Sequence, residues 1–309
     1  MERRVIVIVG PTCSGKTSLG IKLSKFLNSE VISADSRQIY KFLNIGTAKP
    51  SKREMQGIKH HLIDILKPDE EYNASKFEKD ALELIKSITE KNKIPVVVGG
   101  SGLYIKALVD GIFNTVDTDE VYRKELLKIK REIGVEKLYT MLEKIDPVTA
   151  SKLLPQNWKR VIRALEVFKI TGKPIWEFQK NYKRKEEYNF LQFGLNWPRH
   201  KLYAMIENRV DNMIKLGLID EVKNILAIKY TKDLNSLNTV GYKEIISYLD
   251  NEIEFNEAVR LIKRNTRRYA KRQLTWFRKD TRITWFNLEN VDRLNDIAKE
   301  ILQIIDKVS

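Results

Sequence analysis

The run Gly10-Pro11-Thr12-Cys13-Ser14-Gly15-Lys16-Thr17 spaces two glycines, a lysine and a hydroxyl as G-x-x-x-x-G-K-T. The chemistry that suits this spacing is capture of a polyphosphate. Glycine at positions 10 and 15 removes the Cβ atoms that would block backbone N–H groups from curling round an anion. Lys16 adds a point charge at the phosphates, a helix opening there adds the positive end of its dipole, and the Thr17 hydroxyl can ligate Mg2+. Cys13 has no neighbouring histidine to activate its thiol, so it reads as a small loop residue rather than a nucleophile.

The flanking elements fit this reading. Val5-Ile6-Val7-Ile8-Val9 is an apolar β-branched run leading into the loop, and Leu19, Leu23, Phe26 and Leu27 follow it at helical spacing. Strand, phosphate loop and helix are expected in that order. A second strand over 30–34 delivers Asp35-Ser36-Arg37-Gln38 to the rim where open α/β sheets bind ligands. A dinucleotide fold would use such an acid on a ribose, but Lys16-Thr17 argues against that fold. A helix over 77–88 leads to a strand over 94–98, which ends in Gly99-Gly100-Ser101-Gly102 rather than in the carboxylate of many phosphate-loop ATPases. Those glycines imply close approach of backbone to a ligand, with the Ser101 hydroxyl on the rim. His60 and His61 are adjacent, so on a strand they point to opposite faces and do not grip one metal ion.

From about Asp117 the chain is charged, helical and poor in strand signals for some seventy residues. Within it, Val161, Leu165 and Phe168 share one helix face, while Lys159, Arg160 and Arg163 share another. A strand over 190–197 then returns to the sheet, followed by a helix over 202–214, a second helix, a helix start at Gly241-Tyr242, and a long helix from Phe255. On that last helix Phe255, Val259, Ile262, Tyr269 and Trp276 form the apolar stripe. Opposite it lie Arg260, Lys263, Arg264, Arg267, Arg268, Lys271, Arg272, Arg278 and Lys279. No acid occurs between Arg260 and Arg278, so salt bridges along the helix cannot account for this ridge and a phosphate backbone is the expected neighbour. A last strand is expected over 281–286.

The fold expected is α/β: a P-loop NTPase-like parallel sheet flanked by helices, with an inserted all-helical domain. Residues 1–115 and 190–309 form the catalytic core with its basic helix, and 116–189 form the insertion. The 309 residues are 42% apolar, enough for a sizeable core. Lysine and arginine number 56 against 41 acids, a net +15 that points to an anionic partner such as nucleic acid. One cysteine rules out an internal disulfide and fits a reducing compartment. The apolar run near the start is too short for a signal peptide, and no stretch approaches the about 20 apolar residues of a membrane span. A cytoplasmic protein with no membrane partner and no evident obligate protein partner is expected.

Taken together, Gly10–Thr17, Asp35 to Tyr40, Ile45 to Pro50, His60-His61-Leu62-Ile63-Asp64, Gly99 to Tyr104, Arg163-Ala164-Leu165-Glu166-Val167 and Ala270-Lys271-Arg272-Gln273-Leu274-Thr275-Trp276 resemble bacterial tRNA dimethylallyltransferases, in order and over nearly the whole chain. Ser101 departs from the threonine more usual in that family but keeps the hydroxyl. No zinc-finger extension of the eukaryotic kind is expected.

The resemblance implies transfer of the dimethylallyl group of dimethylallyl diphosphate, with Mg2+, to the exocyclic N6 amine of the adenosine immediately 3′ of the anticodon in tRNA. It implies that the loop 10–17 holds diphosphate as a leaving group, so no hydrolytic water needs a carboxylate after Val98. Asp35 is then the candidate base at the attacking nitrogen, while Lys16, Thr17 with its metal, and Arg209 oppose the charge growing on diphosphate. By the same resemblance Asp35, Ser36, Arg37, Gln38, Ser101, Arg123 and Lys159, Arg160, Val161, Ile162 and Arg163 contact the tRNA anticodon arm. Arg264, Arg267, Arg268, Lys271 and Arg272 would follow its backbone. The other readings open at this stage are an ATP-dependent kinase of a small metabolite, for which the basic helix has no task, and an RNA-binding ATPase.

Overall fold

The computed structural model describes residues 3–112, 118–181 and 188–307. It divides into two compact units, one of residues 1–109 with 186–309 and one of residues 110–185. The boundary expected at 115–116 lies outside the described residues.

The first unit opens with β1 (Arg4–Val9), where Val5 to Val9 are all at 0% exposure. A strand buried on both faces needs apolar residues at every position, which is why this run shows no alternation. Then follow α1 (Lys16–Phe26), β2 (Val31–Ser33), α2 (Lys52–Met55), β3 (His60–His61), α3 (Ala74–Thr89), β4 (Val96–Val98) and α4 (Gly102–Asp110). The second unit contains α5 (Glu120–Glu132), α6 (Val135–Ile145), α7 (Pro147–Ala150), α8 (Trp158–Thr171) and α9 (Ile175–Asn181). The chain returns to the first unit with β5 (Asn189–Asn196), α10 (Arg199–Lys215), α11 (Leu218–Ala227), α12 (Tyr242–Leu249), α13 (Phe255–Phe277), β6 (Thr284–Asn287) and α14 (Arg293–Lys307).

The six strands pair in the order β3-β2-β4-β1-β5-β6, and every pairing is parallel. β1 therefore sits centrally, with the loops after β4 and β2 beside the phosphate loop at one edge of the sheet. On one side Leu19 and Leu23 of α1 share a core with Leu202 and Ile206 of α10 and with Leu294, Ile297, Ala298, Ile301 and Ile305 of α14. The spacing of the α14 residues is a plain amphipathic pattern that the sequence reading passed over. Each fully buried leucine here is worth about 2 kcal/mol.

The buried stripe of α13 differs from the one expected. It consists of Ala258, Ile262, Ala270, Gln273 and Phe277, while Trp276 is 38% exposed. Small residues bring the helix close to its neighbours, and Phe255, Tyr269 and Trp276, assumed to mark the core, lie along its margin. In the second unit Leu126, Leu138, Leu142, Val161, Ile162 and Leu165 form a separate core. Within that unit Glu166, at 0% exposure, receives Arg123 Nε at 2.6 Å and Nη2 at 2.8 Å and lies 3.8 Å from Arg163 Nη1. Such a carboxylate survives burial because its charge is paired and its oxygens are hydrogen-bonded.

Candidate active site

The phosphate loop is built from an unusual backbone path. Gly10 takes a φ of 145°, and a Cβ there would stand 2.9 Å from the Leu195 carbonyl oxygen. Cys13 adopts a φ of 66°, which turns the chain back on itself inside the loop. No side chain caps α1, so the N–H groups of its first turn are left for an anion at the loop. The turn is tied down from outside by Trp197, whose Nε1 donates to the Ser14 carbonyl at 3.1 Å.

Two cations converge on this loop. Lys16 Nζ donates to the Pro11 carbonyl at 2.5 Å. Burial, and next the Arg209 guanidinium, lower its pKa to about 8, with Asp35 and Cys13 acting in the opposite sense. Arg209, from α10, reaches Thr12 Oγ1 through Nη1 at 3.4 Å. Burial pushes the Cys13 thiol up despite Arg209 and Lys16 nearby, so a thiolate nucleophile is disfavoured.

Asp35 follows β2 and is oriented by its own turn, with Oδ1 accepting the N–H groups of Arg37 at 2.8 Å and Gln38 at 3.3 Å. Ser101 Oγ accepts the Ser36 N–H at 3.0 Å, joining the ends of β2 and β4. That junction is tight: a Cβ on Gly99 would stand 2.1 Å from the Ala34 carbonyl oxygen. Burial, and then the charge of Asp35, raise the pKa of Tyr269 on α13, which also bonds to Ser101. Asp35, Tyr269, Ser101, Lys16 and Arg209 thus share one electrostatic neighbourhood at the carboxyl ends of adjacent strands, the position at which open parallel sheets bind ligands.

A family model described as IPP transferase matches residues 38–280. The tRNA dimethylallyltransferase of Carboxydothermus hydrogenoformans is 47% identical over 98% of this chain and 97% of its own length. That of Thermotoga maritima is 45% identical over 97% of this chain and 98% of its own. This chain belongs to the tRNA dimethylallyltransferase family. The crystal structure of the full-length tRNA isopentenylpyrophosphate transferase from Bacillus halodurans matches at 42% identity with a TM-score of 0.73, covering 99% of this chain and 98% of that one. A eukaryotic dimethylallyltransferase acting on tRNA matches at 30% identity with a TM-score of 0.78, covering 92% of this chain and 73% of that one. The fold is accordingly the P-loop NTPase-like one of this family, and neither the kinase nor the ATPase reading is favoured.

The family's expected site residues fall into distinct settings in this member. Arg37 and Gln38 spend donors on the protein itself, Arg37 Nη1 on the Asn235 carbonyl at 2.7 Å and Gln38 Nε2 on the carbonyls of Thr47 and Ala48 at 3.2 Å. In the second unit Lys159 and Arg160 are exposed, whereas Val161 and Ile162 are buried at 0% and 3%. The side chains of Val161 and Ile162 therefore pack the core of that unit and do not face outward, because α8 has to fill its apolar interior.

The basic ridge of α13 also divides. Arg268, Lys271 and Arg272 are exposed and Arg264 is half-buried. Lys263, however, lies 2.7 Å from Asp211, and Arg267 lies 2.5 Å from Glu207. These two cations are paired not along their own helix but across the packing, since their acids come from α10 and not from α13. Arg260, the first residue of the ridge, does pair along its own helix, with Glu257 one turn earlier at 2.6 Å, so the expectation that bridges along the helix play no part is corrected there. The histidines have separate partners, His61 Nε2 the Glu30 carboxylate at 2.6 Å and His60 Nδ1 the Ile58 carbonyl at 2.8 Å. Among the described residues no cluster of His, Cys, Asp and Glu could hold a metal ion, and no helix is long and apolar enough to cross a membrane.

Sequence reasoning missed Trp197, Tyr269 and Gln273 as parts of the site. Gln273 lies within the segment 270–276 that carries part of the family resemblance, but no local pattern marks any of the three as part of the site.

Proposed function

We propose that this chain transfers the dimethylallyl group of dimethylallyl diphosphate to the N6 amine of the adenosine immediately 3′ of the anticodon in tRNA, releasing diphosphate. Family membership supports the reaction class. The observation that carries the assignment of roles is the grouping of Lys16 and Arg209 at the phosphate loop beside the Asp35 carboxylate.

The lone pair of an adenine amine is delocalised into the ring, so the amine is a weak nucleophile. As N6 bonds to C1 of the dimethylallyl group, the C1–O bond breaks and its electron pair leaves on diphosphate. Asp35 takes the N6 proton. Its Oδ1 is held by two backbone N–H groups, which keep the carboxylate aimed while it accepts. The loop amides, Lys16 and Arg209 oppose the charge that grows on the leaving oxygen, stabilising the transition state more than the ground state.

Mg2+ fits this donor set. The exposed Thr17 stands in the first turn of α1, and a magnesium site completed by substrate phosphate oxygens needs no protein cage. The ion would supply further neutralisation of the diphosphate. Gly10, Pro11, Thr12, Cys13, Ser14 and Gly15 would cradle the same group.

For tRNA, the target base has to leave the anticodon stack to be reached. Asp35 to Gln38 and Ser101 would receive it. Arg264, Arg268, Lys271 and Arg272 would follow the phosphate backbone, and Arg123, Lys159, Arg160 and Arg163 of the helical insertion would add contacts. Such a substrate puts the reaction in the cytoplasm. The test is transfer of labelled dimethylallyl to unmodified tRNA by the wild-type chain and by Asp35→Ala. Label on the adenosine beside the anticodon, reduced by about 100-fold or more in the variant, is expected. Absence of transfer by folded wild-type protein with Mg2+ and mixed tRNAs refutes the proposal.

A further inference from the structure

Gln273 is a polar residue in the buried stripe of α13, at 6% exposure. Both ends of its amide are used. Oε1 accepts the Thr12 N–H at 2.8 Å, and Nε2 donates to the Gly100 carbonyl at 2.9 Å. One side chain therefore bridges the phosphate loop after β1 to the glycine loop after β4. Glycine at 100 is what admits it, since a Cβ there would stand 2.2 Å from Gln273 Nε2.

The bond to Thr12 has a consequence for the ligand. With its N–H given to Gln273, Thr12 cannot donate that group to a phosphate, and the amides left for the anion are those further along the loop. The same residue carries the hydroxyl facing Arg209 at 3.4 Å. The Thr12 peptide is thus held between Gln273 on one side and the Arg209 contact on the other.

We infer that Gln273 is a positioning residue for the diphosphate site: it sets the orientation of the Thr12 peptide and so the spacing between the loop amides and Arg209. This rests on the reading of the loop as a diphosphate site. The residue touches no substrate and acts only through the two loops. Its donor and acceptor ends are not interchangeable, because Thr12 offers an N–H and Gly100 offers a carbonyl. Glutamate at this position can satisfy both only when protonated, when its O–H can donate to Gly100. Ionised, it turns a second acceptor towards that carbonyl.

The test is binding of inorganic diphosphate by titration calorimetry to the wild-type full chain, Gln273→Met and Gln273→Glu, with tRNA affinity measured in parallel. Loss of the Thr12 bond in Gln273→Met is expected to weaken diphosphate binding about tenfold, with tRNA affinity little changed. For Gln273→Glu the deficit relative to wild type is expected to shrink as the pH is lowered from about 8 to about 6, since burial raises a carboxyl pKa into that range. A role confined to packing gives near wild-type affinity in Gln273→Met, which keeps the volume of the side chain and loses only its hydrogen bonds. Wild-type affinity in Gln273→Met, equal losses for tRNA and diphosphate, or a pH-independent deficit in Gln273→Glu would each overturn the inference. Failure of the wild-type chain itself to bind diphosphate would instead overturn the reading of the loop.

Discussion

Raising the pH should weaken diphosphate binding well before an ordinary lysine titrates. Burial and the neighbouring Arg209 charge hold the Lys16 pKa at about 8 in place of 10.5. If only the ammonium form holds the diphosphate, about one molecule in ten is competent at about pH 9, and apparent affinity falls about tenfold from its neutral value. A lysine at its usual value would show almost no change there. Replacing Arg209 with glutamine removes a charge that lowers the Lys16 pKa, so the break should move to higher pH even though binding is weaker overall. Asp35→Asn removes a charge that raises it, and the break should move lower. The assay is inorganic diphosphate affinity across about pH 7 to about 10, supported by kcat/KM for dimethylallyl diphosphate at saturating tRNA. A flat profile to about pH 9.5, or a break that moves down in Arg209→Gln, refutes the reasoning.

Folding stability responds with the opposite sign. Between about 8 and 10.5 the unfolded chain binds the Lys16 proton and the native chain does not. This lysine's contribution to stability therefore rises with pH through that window while ligand affinity falls.

On the basic helix, Arg268→Gln should lower the slope of log affinity for tRNA against log salt by about 1. Arg267→Gln should change it less, because Glu207 already occupies that guanidinium. Equal slope changes would refute the division of the ridge, as would no change in either. Gly99→Ala should destabilise the chain by about 3 kcal/mol, read as a lower urea midpoint. Its Cβ would meet a backbone carbonyl between two strand ends and could not be relieved by a side-chain rotation. An unchanged midpoint would refute the close packing of β2 and β4.

Much of the site was legible in the sequence because its parts are local. A phosphate loop is a short backbone path whose glycines, lysine and hydroxyl are contiguous from Gly10 to Thr17, so spacing alone states its chemistry. Asp35 was legible for the same reason, since it follows a short apolar strand and must emerge at the strand's carboxyl end. The long basic helix was legible because periodicity of about 3.6 residues sorts charges onto faces.

What periodicity cannot report is which partner lies opposite each face. Lys263 and Arg267 look like their neighbours in sequence, and only the packing of α10 against α13 supplies Asp211 and Glu207 to neutralise them. Periodicity already set Val161 on an apolar face, but Ile162 stands beside exposed cations, and only the core of the helical unit decides that it too turns inward. Gln273 is the sharpest case. Its partners, Thr12 and Gly100, are 261 and 173 residues away, and nothing local distinguishes it from a surface glutamine. The sequence by itself determined which groups could bind phosphate and carry positive charge, because those are properties of residue type and short-range spacing. The tertiary structure alone decided which of those groups are held, paired or exposed, because that depends on atoms brought together from distant parts of the chain.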